Sequence, residues 1–280
     1  MTASLVRHRP PHPDTETRQS PRARARDWAE IQERMLVPLH EAVLERLDVG
    51  PDTRLLGLRC GSGLALLPAA ARGAAVTGVD SCPELLALAR ERLLPADRDG
   101  AGARAELCAR VPRASDNAPF DLVTLFEPVR RPADDREEPA RLLAEALPLA
   151  ARGAAVVLAG WGPPERCATS SVLAVAAKLA DPLRRADGRR PGGRDDLEET
   201  ARRAGLRPDG SGRVSCPFGY ADPDSAVRGL LATGLFDAAA RATDARQVDK
   251  ELAEALHPYI RPDGTVRMPN VFRYLIARLP

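Results

Sequence analysis

The sequence predicts an α/β fold in which one mostly parallel β-sheet of seven strands is covered by helices on both faces. Two observations support this prediction. Short apolar runs alternate with helical periodicity over residues 53–160, which is typical of βαβ units in a parallel sheet. Right-handed crossovers then place the helices on both faces. Two further strand-like runs, at 213–220 and 270–279, complete the count of seven.

The first residues predict a tail and a helical cap. Residues 1–25 are rich in Pro, Arg and Ser without apolar periodicity, which predicts a disordered tail. From residue 26 apolar side chains recur every three or four positions, which predicts a helical cap over residues 26–50. The folded domain is therefore expected to cover residues 26–280.

Strands and helices are expected to alternate after the cap. The predicted strands cover residues 53–58, 75–79, 104–108, 120–126 and 153–160, with helices at 64–71, 83–94 and 138–147. The second half is predicted to contain helices at 169–180 and 194–204, with a loop at 181–196. Amphipathic segments are expected at 223–233, 235–242 and 247–257. Together they are predicted to form a helical lid over residues 220–260.

Composition narrows the possible partners. The net charge is +2, and Arg is interleaved with Asp and Glu along the chain, which does not favour a nucleic-acid surface. The five cysteines are scattered and predict neither a zinc site nor a disulfide framework. No apolar run is long enough to span a bilayer. We therefore expect a cytoplasmic protein with a small-molecule partner, no nucleic acid and no membrane, in an oligomeric state that the sequence leaves open.

The most informative pattern is a strand, a Gly-x-Gly turn, a helix, and a second strand that ends in Asp80. The small residues Gly61 and Gly63 let a ligand approach the backbone near a helix N-terminus. Asp80 is placed to accept the hydroxyls of a ribose, or alternatively to cap the following helix. Ser81 is a further candidate cap for that helix. Dinucleotide-binding proteins use Gly-x-Gly-x-x-Gly, but here Leu66 stands at the third glycine.

Several motifs together resemble another cofactor class. Residues 55–63, Leu-Leu-Gly-Leu-Arg-Cys-Gly-Ser-Gly, are similar to the "LLDVGCGTG" motif of class I S-adenosylmethionine-dependent methyltransferases. Residues 76–86 resemble the second motif of that family, residues 120–124 its fourth strand and residues 151–157 its fifth. This resemblance covers roughly residues 27 to 279 and implies a Rossmann-like fold with S-adenosylmethionine as cofactor.

The resemblance also implies site residues. Residues 161–166 and 216–220 look like an actinobacterial subgroup of small-molecule methyltransferases. Cys60 is expected to pack structurally, and Cys108 to stand where the family often contacts the adenine amino group. The cofactor-binding candidates are Arg59, Cys60, Gly61, Gly63, Asp80, Ser81, Cys108 and Phe126, and the candidates for an apolar substrate pocket are Trp28, Met35, Trp161 and Tyr220.

The first motif departs from the family at two positions. The family has an acid at the position of Gly57, which helps to hold the methionine ammonium, and a glycine at the position of Arg59. Losing an acid and gaining a cation changes the local charge by about +2, which disfavours a cationic ligand. We therefore predict weakened cofactor binding, unless Arg59 points to solvent, pairs with Glu127 or binds the methionine carboxylate.

Two functions follow from these observations. The first is methyl transfer from S-adenosylmethionine to a small molecule, for example in secondary metabolism. The second is a repurposed scaffold without methyl transfer, acting as a cyclase or pericyclase on a polyketide-like substrate or as a non-catalytic binding protein. His40 and His257 are lone histidines on predicted helices, so no catalytic base is assigned.

Overall fold

The computed structural model describes most of the chain, in five stretches: residues 20–94, 105–113, 118–126, 138–181 and 196–280. Most of the predicted loop at 181–196 lies outside them. In the described part no helix is both long and apolar enough to cross a membrane.

The N-terminal cap is helical from Pro21 onwards, so the predicted disordered tail is wrong for residues 21–25. The side chain of Ser20 accepts a hydrogen bond from the Ala23 amide at 3.2 Å and caps the first helix. Proline at the first helical position suits this start because its missing N–H would have no partner there. The cap comprises α1 (Pro21–Asp27), a π-helical turn (Trp28–Gln32), a 3₁₀ turn (Glu33–Leu36) and α2 (Val37–Arg46).

The predicted sheet is confirmed. Its seven strands follow the order β3-β2-β1-β4-β5-β9-β6, and β9 runs antiparallel to both β5 and β6 while the other pairs are parallel. These strands are β1 (Arg54–Leu58), β2 (Ala75–Val79), β3 (Ala105–Cys108), β4 (Phe120–Leu125), β5 (Ala150–Trp161), β6 (Arg207–Ser215) and β9 (Val271–Arg278).

Helices connect the strands as predicted for βαβ units, and three of them lie between β6 and β9. The helices are α3 (Leu67–Ala71), α4 (Pro83–Leu93), α5 (Glu138–Ala146), α6 (Thr169–Ala180), α7 (Asp196–Arg203), α8 (Pro223–Ala232), α9 (Asp237–Ala242) and α10 (Ala245–Leu256). Short 3₁₀ turns occupy Leu147–Leu149, Pro164–Arg166 and His257–Tyr259.

The strand predicted at 213–220 is in fact two strands. The first, β6, ends at Ser215, and Pro217 separates it from β7 (Phe218–Tyr220). Proline has no amide hydrogen to donate to a ladder, so the pairing changes there. Instead of joining the main sheet, β7 pairs with β8 (Val266–Met268) in a small antiparallel sheet at the base of the lid.

Side chains along β1 alternate between the two faces of the sheet, and each face packs into its own apolar core. Leu55 points into the larger core, which contains the N-terminal cap, α3, α4 and the lid helices. Leu56 and Leu58 point to the opposite face, into a smaller core with α5 and α7. The sheet is therefore covered on both faces, and the carboxyl ends of β1 and β2 lie next to the cap.

Candidate functional site

The glycine loop leaves β1 beside the carboxyl end of β2. Leu58 and Val79 are register partners at the ends of these parallel strands, so the chain segments that follow them are neighbours. The backbone has positive φ at Arg59 (51°), Gly61 (58°) and Gly63 (77°). For Arg59, a left-handed conformation costs about 1–2 kcal/mol. Because of this turn, α3 begins at Leu67 rather than at residue 64 as predicted.

Every amide of the loop from residue 60 to residue 63 has an acceptor within the chain. The Cys60 amide donates to the Val79 carbonyl at 2.9 Å, and the Gly63 amide donates to the Cys60 carbonyl at 2.9 Å. The Gly61 amide donates to Asp80 Oδ2 at 2.9 Å. The Ser62 amide donates to Glu33 Oε1 at 3.1 Å. Two carboxylates therefore hold neighbouring amides of this loop.

Asp80 links the loop to the helix that follows β2. Its carboxylate is buried, with a relative exposure of 1%. Oδ1 accepts a hydrogen bond from the Cys82 amide at 2.9 Å, so Asp80 supports the start of α4 as well as the loop. The N-cap residue is Cys82, whereas Ser81 is exposed, so the prediction that Ser81 caps α4 is wrong.

Glu33 reaches the loop from the N-terminal cap, and sequence reasoning missed it. Its carboxylate is 4% exposed and accepts hydrogen bonds from Ser62 Oγ and from Arg92 Nη1, the latter at 3.3 Å. Arg92 also donates to the Ser62 carbonyl at 2.9 Å. Burial raises the pKa of Glu33, while Ser62 and Arg92 act to lower it.

A helical irregularity explains why Glu33 points inward. In a regular helix with about 100° per residue, Glu33 would lie about 140° around the helix from the buried Trp28, on the polar side. In the structure the Glu33 amide donates to the Trp28 carbonyl across the π-helical turn. Glu33 and Trp28 therefore both face Gly61, where an added Cβ would lie 2.6 Å from Glu33 Oε1 and 3.3 Å from Trp28 Nε1.

The two residues that depart from the first motif, Gly57 and Arg59, each contact another side chain of the domain. Arg59 forms an ion pair with Glu138 at the start of α5, and both side chains are largely buried. The predicted partner Glu127 lies outside the described residues. A Cβ added at Gly57 would lie 2.6 Å from Leu66 Cδ2, so Leu66 fills the space in which an acid at 57 would stand.

These contacts add acids to the corner, by which we mean the glycine loop, residues 59–63, and Asp80. Around the loop, the described residues place three carboxylates, of Glu33, Asp80 and Glu138, against two guanidinium groups, of Arg59 and Arg92. Their formal sum is −1. The predicted change of about +2 relative to the family concerns positions 57 and 59, and acids from the cap and from α5 stand beside these positions.

Three of the four predicted substrate residues meet at the base of the lid. The Trp161 ring lies 4.6 Å from the Phe272 ring, measured between centroids. The Tyr220 hydroxyl donates to Gln32 Oε1 at 2.9 Å, and the Gly219 amide donates to Met35 Sδ at 3.5 Å. Trp28 instead lies over the glycine loop.

Gln32 is a second residue that sequence reasoning missed. Its side chain is fully buried, and its Nε2 has no hydrogen-bond partner among the described atoms. A buried amide donor without a partner is costly and marks a place where a ligand oxygen would be stabilised.

Three of the remaining candidates, Cys60, Cys108 and Phe126, end or follow strands at the same edge of the sheet. The Phe126 ring, just after β4, is 5.1 Å from the buried His40 ring. Burial lowers the pKa of His40 to about 3, and its Nδ1 has no partner in the described part of the chain. The Cys108 carbonyl accepts a hydrogen bond from the Asp80 amide at 3.2 Å, while the Cys108 thiol lies 3.6 Å from Glu106 Oε1. Cys60 is buried, whereas His257 is exposed.

Comparison with known proteins identifies a domain but not a substrate. Residues 56–158 match the family model described as a methyltransferase domain. An uncharacterised protein of Mycobacterium tuberculosis is 38% identical over 66 residues, which are 24% of this chain and 24% of that protein. The 23S rRNA (uracil(1939)-C(5))-methyltransferase RlmD of Salmonella typhimurium is 38% identical over 69 residues, 25% of this chain and 16% of that protein. The matches thus span about a quarter or less of these relatives.

Similarity of structure extends further than similarity of sequence. The crystal structure of a putative methyltransferase from Bacillus halodurans superposes with a TM-score of 0.54 at 15% sequence identity, and the alignment covers 86% of this chain and 98% of that one. At this identity the likeness concerns the fold alone. The matched domain, the order of the seven-stranded sheet and this structural likeness together show that the chain has a Rossmann-like methyltransferase fold.

Proposed function

We propose that this protein binds S-adenosylmethionine at the glycine loop and methylates a small molecule beneath the lid. The observation that carries the proposal is the contact between Asp80 Oδ2 and the Gly61 amide, 2.9 Å long, at the carboxyl ends of adjacent parallel strands. In open α/β sheets this edge is where nucleotide ligands bind, and an acid at the end of the second strand accepts ribose hydroxyls.

The types of residue and the charges around the glycine loop suit S-adenosylmethionine. Asp80 directly follows β2, where an acid accepts ribose hydroxyls, and Gly61 has no side chain to obstruct a ligand. The formal charge of −1 summed over these three carboxylates and two guanidinium groups suits a ligand with two cationic groups. Because Glu33 and Trp28 cover Gly61, we propose that the cap segment Trp28–Leu36 shifts to admit the ligand and stays over the loop when the ligand is bound.

The bound cofactor would supply an electrophilic methyl group on its sulfonium. The protein's own contribution is then to hold an acceptor atom in line and to exclude water. The buried rings of Trp161 and Tyr220 favour an apolar substrate. The free Nε2 of Gln32 favours a substrate that carries an oxygen acceptor. We therefore propose an apolar small molecule with at least one hydroxyl or carbonyl oxygen.

A repurposed scaffold without methyl transfer is the second candidate. It is favoured by the internal use of the loop amides from Cys60 to Gly63 and by the burial of Asp80. In this case the same apolar base of the lid would bind a polyketide-like ligand, and the corner would serve only as a packed structural element.

Calorimetric titration with S-adenosylmethionine and S-adenosylhomocysteine distinguishes the two. Methyl transfer predicts micromolar binding of both ligands. We expect Asp80→Asn to weaken binding by at least tenfold, since a hydrogen bond to a charged group contributes about 1.5–3 kcal/mol.

The matched control is Asp121→Asn, because Asp121 accepts the Arg54 amide at 3.0 Å at the start of β1, at the opposite edge of the sheet. This variant should bind the ligands as the parent does. Absence of binding at millimolar ligand would contradict methyl transfer and favour the repurposed scaffold.

A further inference from the structure

The class I motif places an acid at the end of β1, but this chain has no room for one there. Position 57 is glycine, and the Leu66 side chain lies over it and over its register partner Gly78, where an added Cβ would meet Leu66 Cδ1 at 2.7 Å. Leu66 is 1% exposed and held within the larger core. An acid that contacts the ligand's amino group must therefore come from another element.

Glu33 is a carboxylate at the right place. It holds the Ser62 amide while Asp80 holds the adjacent Gly61 amide, so the two acids stand one residue apart along the loop. A ligand whose ribose is bound by Asp80 would extend its amino-acid arm along this loop. Glu33 Oε1 also occupies the open side of Gly61, at 2.6 Å from the position of an added Cβ.

The negatively charged Glu33 carboxylate can accept one more hydrogen bond. It accepts three hydrogen bonds in the described structure, two from Ser62 and one from Arg92 Nη1, whereas a carboxylate has about four acceptor positions. Arg92 is one cation beside this acid, and its side chain is 25% exposed, so solvent weakens the pair. An ammonium group would complete the set of donors.

We propose that Glu33, supplied by the N-terminal cap, binds the ammonium group of S-adenosylmethionine in place of the acid missing at position 57. This inference rests on the proposed function. It assigns to the cap a direct part in cofactor binding, and it explains how a first motif without its acid retains affinity for a cationic ligand.

The test is a set of calorimetric titrations of the full chain and of Glu33→Gln with three ligands. These are S-adenosylmethionine, its decarboxylated form, which keeps the amino group, and 5′-methylthioadenosine, which lacks the amino-acid arm. We expect Glu33→Gln to weaken binding of the first two about ten- to a hundredfold and to leave the third unchanged. The control Glu41→Gln, at an exposed acid on α2, should bind all three as the parent does.

Each of the other possible titration results would contradict one specific part of the proposal. If the parent binds none of the ligands, the proposed function fails. If the parent binds S-adenosylmethionine and Glu33→Gln binds it equally well, only the assignment of Glu33 fails. A loss confined to S-adenosylmethionine, without loss for the decarboxylated form, would assign the contact to the ligand carboxylate and contradict the role of Glu33. Equal loss for 5′-methylthioadenosine would mean that Glu33 only maintains the loop.

Discussion

At the scale of single residues, each departure from the family's first motif is balanced by another residue near the glycine loop. Arg59 adopts a φ of 51° that favours glycine, and its charge is balanced by Glu138. Gly57 lacks the expected acid, and Leu66 fills the space instead. These compensations could not be predicted, because Glu138 is far from the loop in sequence and Leu66 stands out in the sequence only as the residue at the third glycine position.

The packing of Leu66 over Gly57 predicts a coupled effect on stability. We expect Gly57→Ala to lower the free energy of unfolding by about 1–3 kcal/mol, since the new methyl group overlaps a buried side chain. Leu66→Ala alone should cost about 2–5 kcal/mol because it leaves a cavity. In the double variant the methyl group fills part of that cavity, so the combined loss should be smaller than the sum.

Urea unfolding of the parent, both single variants and the double variant measures this coupling. Gly50→Ala is the control, because a Cβ there meets only the Asp48 carbonyl, at 3.9 Å. Strict additivity of the two losses would contradict the packing described for Leu66.

His40 predicts a dependence of stability on pH. Burial holds the pKa of His40 near 3, while the unfolded chain has the ordinary value of about 6.5. The unfolded state therefore gains a proton first as pH falls, so the stability contributed by neutral His40 is present above pH 6.5 and is lost between pH 6.5 and about 3. From pH 7.5 to 5.5 the loss should be about 1.4 kcal/mol.

Chemical denaturation of the parent and of His40→Gln at both pH values checks this expectation. The variant should lose about 1.4 kcal/mol less than the parent over that interval. His257→Gln, at an exposed histidine, should behave as the parent does. An equal loss in parent and His40→Gln would contradict burial of a neutral His40.

At the scale of elements, the alternation of strands and helices was predictable, but the irregular segment between α1 and α2 was not. Apolar periodicity assumes a regular helix, which places Glu33 on the polar face. The π-helical and 3₁₀ turns bring Gln32 and Glu33 inward together, toward Tyr220 and Ser62 respectively. Irregular turns of this kind are frequent at functional sites.

The same limit applies to the lid. Amphipathic periodicity predicted its helices, with N-caps at Asp222 and Asp244 that each accept an amide three residues ahead. The pairing of β7 with β8 was not predicted, because strands of three residues carry too little pattern to distinguish them from loops. The structure adds the contact that matters for the site, namely the hydrogen bond from Tyr220 to Gln32.

At the scale of the whole molecule, two regions converge on one edge of the sheet. The N-terminal cap covers the glycine loop, while the lid, inserted between β6 and β9, covers the aromatic base around Trp161. Gln32 and Glu33 are neighbours in sequence, and one faces the lid while the other faces the loop. Movement of the cap would therefore affect both the proposed cofactor corner and the proposed substrate pocket.

The proposed binding of S-adenosylmethionine at the Gly61 loop beneath the cap can be tested directly with the two tryptophans of the chain. Trp28 contacts this loop, whereas Trp161 belongs to the base of the lid. The measurement is the fluorescence of Trp28 in the Trp161→Phe variant during titration with S-adenosylhomocysteine. We expect a saturable change that is abolished by adding Asp80→Asn. Unchanged Trp28 emission up to millimolar ligand would contradict binding at this loop.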